Sequence, residues 1–334
     1  MTTHAGSLKR LQMKDESLGS PGDHQVQVAV KAIGLNFADI FALLGLYSAT
    51  PKGPFIPGLE FAGQVTQIGN QVTEWNIGNR VIGMTRFGGY VSRINIDANS
   101  CIEIPRDWTF AQGASYLVQT LTAWYALRTL ANAQPGENVL IHSAAGGVGL
   151  QAMSICKRLG LHPIGTVGRE SKLEFLHQLG YQDVIVRHRS FPEDLQRLLD
   201  GCPLNIVLDA IGGKVQKQSY NLLAPRGRLI VFGAAEHMSQ GSRPAYLRSL
   251  WQYFTRPKYD VLEMISANKA VIGFNLIWLC YEIQLMRALL VELDQMQLAA
   301  PYIGKIFPFE EAPAAISYLQ SGHSLGKVLL EVKS

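Results

Sequence analysis

The stretch Val139-Leu-Ile-His-Ser-Ala-Ala-Gly-Gly-Val-Gly149 decides the fold, because it joins an apolar strand to a glycine-rich turn. The residues that follow, Leu150–Leu159, have helical spacing, so the turn lies between a predicted strand and a predicted helix. Small residues there let the backbone approach a pyrophosphate, and the free amides at the helix start attract its charge. Ala144-x-Gly146-x-x-Gly149 fits this arrangement, with alanine in place of the first glycine. The pattern predicts a dinucleotide site on a doubly wound sheet.

The surrounding sequence predicts two units with different patterns. After Pro105, strand-like runs alternate with helical stretches, which predicts a parallel sheet with helices on both faces. Before it, short β-rich runs separated by Gly, Pro and Asn predict a small, mostly antiparallel barrel. The parallel strands are expected at Asn138–Ser143, Pro163–Val167, Asp183–Arg187, Asn205–Asp209 and Arg228–Phe232, and the barrel strands at Val26–Ala32, Gly63–Ile68, Arg80–Met84 and Gly89–Ile94. An apolar helix is expected at Ala111–Ala131, and a last strand–helix–strand group at Val271–Leu276, Glu282–Met296 and Lys327–Val332.

Length, composition and charge are those of an ordinary enzyme. The 334 residues suit about two domains, and 47% hydrophobic with 17% charged residues argues against extensive disorder. The formal net charge is only +4, and no Lys/Arg run interleaves with aromatic residues, so we expect no nucleic-acid partner. The apolar stretch Ala270–Leu290 contains Asn275, Glu282 and Arg287, which would be costly in lipid. We expect core elements there rather than a membrane span.

The cysteines and the amino terminus bear on metal binding and location. Cys101, Cys156, Cys202 and Cys280 lie far apart and form no CxxC or Cys/His cluster. Their spacing argues against a structural zinc site and a disulfide framework, and favours buried thiols in a reducing compartment. The amino terminus has no charged n-region and no apolar h-region, so no secretory signal is predicted. We therefore expect a cytoplasmic protein.

The strand after the glycine-rich turn predicts which dinucleotide is preferred. An NAD site usually presents Asp or Glu near the end of this strand to hold the ribose 2′-hydroxyl. Here the strand reads Ile164-Gly-Thr-Val-Gly168, and Arg169 and Lys172 follow it. Two cations without a carboxylate favour a 2′-phosphate, so we predict NADPH rather than NADH. The alternative is that both cations are solvated charges at a helix start.

Motifs along nearly the whole chain resemble those of a known superfamily. They are Gly34-Leu-Asn-Phe-Ala-Asp39, Pro57-Gly-Leu-Glu-Phe-Ala-Gly63, Gly78-Asn-Arg-Val81, Ala144-Ala-Gly-Gly-Val-Gly149 and Gly326-Lys-Val-Leu-Leu330. The chain resembles the medium-chain dehydrogenase/reductase superfamily, specifically its zinc-free quinone-oxidoreductase branch, and is similar to polyketide synthase enoyl reductase domains and synaptic-vesicle membrane protein homologues. The resemblance implies an α/β fold, with a GroES-like, mostly-β catalytic domain over residues 1–115 and 270–334 and a Rossmann NADPH-binding domain over residues 116–269. The chain starts later than free-standing members usually do, which favours a domain of a longer polypeptide.

The resemblance also implies which residues form the site. Zinc-dependent members have Cys or His where this chain has Asn36, Phe37 and Leu59, so we expect no metal. Asn36 is expected near the nicotinamide or the substrate carbonyl, with the capping of a turn as its alternative role. Tyr47 is expected to line the site and to protonate an enolate, with aromatic packing as its alternative. Lys172 and Asp194 fall at positions similar to those of a lysine and an aspartate proposed as proton donors in polyketide enoyl reductases. The expected cofactor contacts are Thr122, Ala145, Gly146, Gly147, Val148, Gly168, Arg169, Lys172, Arg187, Ile211, Phe232, Gly233, Phe274 and Lys327.

Three hypotheses about function follow from these residues and from the resemblance. The leading hypothesis is NADPH-dependent, metal-free reduction of a C=C bond conjugated to a carbonyl in an enoyl thioester, with an acyl carrier protein as the partner that presents it. A free-standing quinone or enone reductase acting on a small molecule is the alternative. The third is a non-catalytic, membrane-associated dinucleotide-binding protein, suggested by the aromatic-basic stretch Tyr246–Tyr259. The segment Gly241–Tyr259 is also a candidate lid or oligomer contact, and the resemblance implies a homodimer with Val271–Leu276 as its edge strand.

Overall fold

The fold consists of two β-sheets with the helices that pack on them. The structure is a computed structural model, and it describes residues 1–237, 241–242, 254–280 and 282–333. Within these ranges, one sheet has seven strands and the other has six. Among these residues no helix is long and apolar enough to cross a bilayer. Residues 243–253, the larger part of the segment considered as a lid or lipid contact, lie outside the described ranges.

The seven-stranded sheet is mostly antiparallel and is built around β1. Val26, Val28 and Val30 lie on one face of this strand and are fully buried or nearly so. On one edge β1 pairs first with β4 and then with β13, and on the other it pairs with β2. The strands are β1 (Gln25–Gly34), β2 (Glu60–Ile68), β3 (Arg80–Met84), β4 (Arg93–Asp97), β5 (Cys101–Glu103), β12 (Ile303–Pro308) and β13 (Lys327–Glu331). The helices of this unit are α1 (Phe37–Leu43), α2 (Phe110–Gly113) and α10 (Ala312–Gln320).

The six-stranded sheet is parallel throughout, in the order β11-β10-β9-β6-β7-β8. This order is that of a Rossmann sheet, in which the order of strand addition reverses between β6 and β9. Ligands bind such sheets outside the carboxyl ends of the strands at that point. The strands are β6 (Asn138–His142), β7 (His162–Val167), β8 (Val184–Val186), β9 (Leu204–Asp209), β10 (Leu223–Val231) and β11 (Ala270–Gly273). The helices are α3 (Leu117–Trp124), α4 (Gly147–Arg158), α5 (Ser171–Gln178), α6 (Phe191–Leu199), α7 (Gly213–Leu222), α8 (Val261–Ala267) and α9 (Ile283–Gln295).

Helix α3 joins the two units through a shared core. A single apolar cluster runs from Ala62 and Ile82 of the first sheet through Leu121 of α3 to Ile141 of the second. Because all four side chains are almost fully buried, the two units pack firmly against each other here. The cleft between them is thereby held next to the carboxyl ends of the parallel strands.

Two predictions differ from the structure in their boundaries. The expected return to the first domain at residue 270 is too early, because β11 pairs with β10 at the edge of the parallel sheet. The first strand after it to join the other sheet is β12, at Ile303. The expected helix over Ala111–Ala131 is divided into α2, α3 and a π-helical segment, Tyr125–Leu130. The apolar pattern that predicted one helix reflects burial on several sides, which hides the breaks.

The sequence prediction placed one strand slightly wrongly and missed several elements, β5 and α10 among them. The expected strand at Gly89–Ile94 begins later, as β4 at Arg93. Helix α1 and strand β12 were not expected. Helix α1 has only seven residues, and β12 has an exposed stretch in its middle, so neither carries a clear hydrophobic period.

Candidate active site

A cavity of about 400 Å³ lies in the cleft between the two sheets. One of its walls is formed by α1, β13 and the segment that leads to β2, and the other by the glycine-rich turn and the ends of β9 and β10. Of the predicted site residues, the lining includes Asn36, Tyr47, Thr122, Gly146, Gly147, Val148, Phe232, Gly233, Phe274 and Lys327. The fold therefore brings together residues that are up to 291 positions apart in the chain, as Asn36 and Lys327 are.

The glycine-rich turn has the geometry of a pyrophosphate site. Strand β6 ends at His142, Ser143 adopts a left-handed φ of 56°, and Gly146 precedes the first turn of α4. A Cβ on Gly149 would lie 2.4 Å from the carbonyl oxygen of Ser143, and one on Gly147 would lie 1.9 Å from Oε1 of Gln119. Gly149 is therefore required for close packing against backbone, whereas a side chain at Gly147 would displace the amide of Gln119. The free amides at the start of α4 face the cavity and can bind an anion.

The carboxyl-terminal part of the chain contacts this turn directly. The Gly326 amide donates a hydrogen bond of 2.8 Å to the carbonyl oxygen of Ala145, and Gly326 forms a β-bridge with Gly146. Ala145 itself is buried behind the turn and does not line the cavity. The two units thus meet at the point where a dinucleotide would lie.

Three of the predicted cofactor residues are cations that gather at the carboxyl end of β7. Arg187 donates to the hydroxyl (2.8 Å) and the carbonyl oxygen (3.1 Å) of Thr166, and Lys172 donates to the Ser324 carbonyl (2.7 Å). Arg169 contacts His323. All of these partners are uncharged acceptors or an imidazole, and none is a carboxylate. An anion such as a ribose 2′-phosphate therefore fits here.

The ionisation of these cations reflects their crowding. Burial, together with the charges of Arg169 and Arg187, lowers the pKa of Lys172 to about 8. Burial lowers the pKa of Arg187 to about 10, opposed by the charge of Asp209. Both groups remain protonated at neutral pH, and each would gain from a nearby anion. Gly168 lies directly above this cluster, since a Cβ there would be 3.3 Å from a terminal nitrogen of Arg187.

A buried polar network forms the floor of the cavity beneath Asn36. The ammonium group of Lys327 donates to Oδ1 of Asn36 (2.7 Å) and forms an ion pair with Glu60. Asn36 in turn donates through Nδ2 to Glu60 (3.1 Å) and to the Gly34 carbonyl (3.3 Å). Both amide hydrogens of Asn36 are therefore already used. Its backbone amide donates to Asp39 (2.8 Å) at the start of α1, but its side chain makes no capping hydrogen bond there.

Tyr47 and Asn275 form a polar pair among the otherwise apolar residues at the other end of the cavity. The Tyr47 hydroxyl donates to Oδ1 of Asn275 at 2.7 Å. Burial raises the pKa of Tyr47 to about 12, so the phenol keeps its proton at neutral pH. The apolar residues around them include Phe41, Leu46, Leu59, Met84 and Ile277. A largely apolar pocket with one phenol and one amide can bind an unsaturated carbonyl compound.

Several predicted residues, among them Asp194, do not line the cavity. Asp194 lies on α6, where it accepts a hydrogen bond from Ser190 (3.0 Å) and forms an ion pair with Arg197. It is not among the cavity residues, so its expected proton-donating role has no geometric support. Lys172 is held at the cation cluster rather than beside Tyr47, which favours anion binding over proton donation. Ile211 lies behind the lining, with its amide donating to Asp209 (2.8 Å).

Several residues of the site were not predicted, and three of them carry polar side chains that matter below. Gln119 and Asn275 line the cavity, and Oε1 of Gln119 is buried without a hydrogen-bond partner. His142 ends β6 within the very stretch that decides the fold. Neither Gln119 nor Asn275 belongs to a recognisable motif, whereas the imidazole in an otherwise apolar strand could have been noticed. Thr122, which was predicted, lines the cavity with its hydroxyl donating to the Val118 carbonyl (2.6 Å).

The donor set of the cavity does not fit zinc. Where zinc-dependent members carry thiolate and imidazole ligands, this chain has Asn36, Phe37 and Leu59. The nearby carboxylate of Glu60 is already paired with Lys327. Among the residues that the structure describes, no group of three or more His, Cys, Asp or Glu side chains could hold a metal ion.

Comparisons with known proteins agree with this geometry. A family model described as alcohol dehydrogenase GroES-like domain matches residues 22–106, and one described as zinc-binding dehydrogenase matches residues 147–272. The human synaptic vesicle membrane protein VAT-1 homolog is 33% identical over 326 residues, which cover 96% of this chain and 82% of that protein.

Solved structures extend the likeness to the whole fold. The CurK enoyl reductase has 28% sequence identity and a TM-score of 0.83, over 99% of this chain and 98% of that one. The quinone oxidoreductase of Escherichia coli, solved in complex with NADPH, has 27% identity and a TM-score of 0.84 over the same shares. The chain belongs to the medium-chain dehydrogenase/reductase superfamily of oxidoreductases, in the branch that contains the quinone oxidoreductases, the enoyl reductases and the VAT-1 homologues.

Proposed function

We propose that this protein uses NADPH to reduce a carbon–carbon double bond conjugated to a carbonyl, and that its substrates are enoyl thioesters. The observation that carries the proposal is the Tyr47–Asn275 pair (2.7 Å) at the apolar end of a cavity whose other end is the glycine-rich turn. A hydride donor bound on the turn would then face a pocket with one phenol and little other polar chemistry.

The cofactor half of the proposal is supported by the turn and the cation cluster together. The amides at the start of α4 suit a pyrophosphate, and Arg169, Lys172 and Arg187 suit a 2′-phosphate. Phe232, Gly233 and Phe274 would flank the nicotinamide end, because they line the cavity beyond the turn. Bound NADPH supplies a hydride, and the protein needs to position it and stabilise the charge that develops.

Lys327 is the best-placed group for a further cofactor or carbonyl contact at the cavity floor. An ammonium group has three N–H donors, and the bonds to Asn36 and Glu60 occupy two of them. The third would be available to a carboxamide or carbonyl oxygen in the cavity. Asn36, with both amide hydrogens in use, would act by holding Lys327 rather than by touching the substrate.

The substrate half of the proposal follows from how charge moves. Hydride addition to the β-carbon pushes negative charge onto the carbonyl oxygen, which a hydrogen-bond donor must stabilise. The Tyr47 hydroxyl can donate to this carbonyl oxygen once it turns away from Asn275. The same phenol can afterwards protonate the α-carbon. The pocket offers no nucleophile next to a base in the part of the chain that the structure describes, and this chemistry requires none.

The choice of thioesters over quinones is supported by similarity to the CurK enoyl reductase, and the finding on the E. coli quinone oxidoreductase keeps a free quinone or enone reductase as the second candidate. The membrane-associated, non-catalytic alternative has no support from the described residues, because most of the stretch that suggested it lies outside them. The words "membrane protein" describe the VAT-1 homologue and give no location for this chain.

The test follows NADPH oxidation with crotonyl-CoA, a crotonyl-loaded carrier protein and a simple benzoquinone, each run in parallel with NADH. We expect turnover of the thioesters, faster with NADPH than with NADH, and faster still for the carrier-linked form. Rapid quinone reduction with inert thioesters would support the second candidate instead. No NADPH oxidation with any of the three would overturn the proposal.

A further inference from the structure

The imidazole of His142 links the parallel sheet to helix α7 through buried hydrogen bonds. The side chain is almost fully buried, and its ring lies 5.8 Å from that of Phe191. Nδ1 lies 2.8 Å from the hydroxyl of Thr166 on β7, and Nε2 lies 2.9 Å from the hydroxyl of Ser219 on α7. Burial, assisted by the charge of Arg187, holds the pKa of His142 well below its usual value. The ring is therefore neutral and carries a single N–H proton.

The neighbouring hydroxyls determine which nitrogen carries that proton. Ser219 donates its only proton to the Val215 carbonyl at 2.8 Å. Its oxygen can then only accept from the ring, so the proton of His142 lies on Nε2. Nδ1 is left as an acceptor, and the hydroxyl of Thr166 must donate to it. A hydroxyl and a neutral imidazole each have one proton to give, so the direction of each of these hydrogen bonds determines the direction of the next.

This series of hydrogen bonds ends at Arg187, a predicted cofactor residue. With its proton committed to His142, the Thr166 oxygen can only accept, and Arg187 donates to it at 2.8 Å. The same guanidinium nitrogen donates to the Thr166 carbonyl at 3.1 Å, so one edge of the guanidinium is fixed. The other terminal nitrogen lies next to Gly168, at the end of β7 where a ribose 2′-phosphate is expected. The direction of every hydrogen bond thus favours a fixed Arg187.

We propose that His142 is a positioning residue for NADPH selectivity, which directs the Thr166 hydroxyl away from Arg187 and so holds the guanidinium in place for the 2′-phosphate. Without an acceptor at Nδ1, the hydroxyl could rotate and turn its proton towards the guanidinium, which would weaken the bond that fixes Arg187. His142 itself does not contact the phosphate. The inference rests on the NADPH part of the proposed function and is independent of which substrate is reduced.

The test is calorimetric titration of the whole chain with NADPH and with NADH, without any carbonyl substrate. His142→Leu removes both ring nitrogens, and we expect it to weaken NADPH binding about tenfold while NADH binding stays within about twofold. His142→Asn keeps an acceptor near the position of Nδ1 and should retain most of the selectivity. Leu140→Val, a buried change on the same strand, controls for loss of packing.

Two further measurements distinguish positioning from a general structural role. Thr166→Val should lower selectivity as His142→Leu does, and the double variant should be no worse than the single ones, because both act through Arg187. ¹⁵N NMR spectra of the histidine ring should show a protonated Nε2 and a bare Nδ1 in the wild-type protein. A proton on Nδ1 would contradict the inferred direction of these hydrogen bonds.

The possible failures are separable. A wild-type protein that binds NADPH no better than NADH would overturn the cofactor choice and this inference together. A selective wild-type protein whose His142→Leu variant is folded and equally selective would overturn the inference alone. Equal weakening of NADPH and NADH binding would also overturn it, since that outcome belongs to a structural role.

Discussion

Lys172 is a residue whose charge depends on its surroundings in a way that can be measured. The side chain is half-buried, and its ammonium group has the Ser324 carbonyl as a neutral partner (2.7 Å). Burial and the neighbouring charges of Arg169 and Arg187 lower its pKa to about 8. The free protein therefore loses this positive charge at a pH where an ordinary lysine still keeps it.

We predict that NADPH affinity falls as the pH rises above about 8. The protonated ammonium group attracts the 2′-phosphate, and a bound phosphate raises the lysine pKa, so affinity is constant below the free-protein pKa and decreases above it. The dissociation constant for NADPH should rise by up to about tenfold between pH 7 and about pH 9, where Arg187 is still protonated, and that for NADH should stay nearly level. Lys172→Met should remove the pH dependence of NADPH affinity and leave that affinity low. Lys172→Arg should also remove the pH dependence but keep the affinity high. A steep profile that persists in Lys172→Met would assign the titration to another group.

Tyr47 leads to a second prediction at this scale. Burial raises its pKa to about 12, so the phenol should remain a competent proton donor from about pH 6 to pH 9 with no inflection of its own. Tyr47→Phe should lower kcat by about tenfold or more with a small effect on KM. In deuterated solvent, Tyr47→Phe should give a product with deuterium on either face of the α-carbon, whereas the wild-type protein should place it on one face. Tyr116→Phe is the control, because this tyrosine is half-buried against Trp108 and does not line the cavity. An unchanged kcat with intact stereochemistry would exclude Tyr47 as the donor.

The sequence predicted residues with a local signature and missed those that depend on distant contacts. The cations after β7 and the glycines of the turn stand in recognisable local patterns. Asn275 does not, because its partner Tyr47 is 228 positions away in the chain. Asp194 was carried over by similarity of position, and it lies on α6 with Arg197 instead. Nothing in the spacing of the sequence indicates that α6 contributes no residue to the cavity lining.

At the scale of elements, the glycine-rich turn serves packing and ligand binding with different residues. A Cβ on Gly149 would lie 2.4 Å from the Ser143 carbonyl and 2.6 Å from the Ala144 backbone, which cannot easily move. A Cβ on Gly146 would meet only the Ser143 carbonyl, at 3.2 Å. Gly149 therefore keeps α4 close to β6, whereas Gly146 leaves space on the cavity side.

These contacts predict opposite effects for two similar substitutions. Gly149→Ala should destabilise the protein by about 1–3 kcal/mol through overpacking and should lower its melting temperature. Gly146→Ala should leave the melting temperature nearly unchanged but weaken NADPH binding, since its methyl group would occupy space next to the pyrophosphate. Thermal unfolding and calorimetry of both variants provide the comparison. Equal melting temperatures for the two variants would contradict the packing role of Gly149.

Element types were easier to predict than element boundaries. The strand and helix around the turn were expected where β6 and α4 lie, because their apolar periods are clear. The stretch Ala111–Ala131 was expected as one helix, yet it contains two helices and a π-helical segment. Burial on several sides makes such a stretch uniformly apolar, so its breaks leave no trace in the hydrophobic pattern.

At the scale of the whole molecule, the edge of the parallel sheet is the expected contact between copies. Within the described residues, β11 pairs with β10 on one side only. Helix α8, which precedes it, carries Val261, Leu262 and Ile265, with exposed fractions of 65%, 73% and 70%. Apolar side chains beside an open strand edge are a combination that soluble proteins usually cover. A second copy placed against β11 would continue the sheet and bury these side chains.

We therefore predict a homodimer that forms through β11 and α8. The wild-type protein should sediment as a dimer at micromolar concentration, and Leu262→Lys with Ile265→Lys should convert it to a folded monomer, because two charges per copy would be buried at the interface. NADPH affinity should change little, since neither residue lines the cavity. Ile77→Lys, at a residue of the other unit that is 68% exposed, is the matched control and should leave the dimer intact. A wild-type monomer at these concentrations would contradict the prediction, and a dimer that survives both lysines would move the interface to another face.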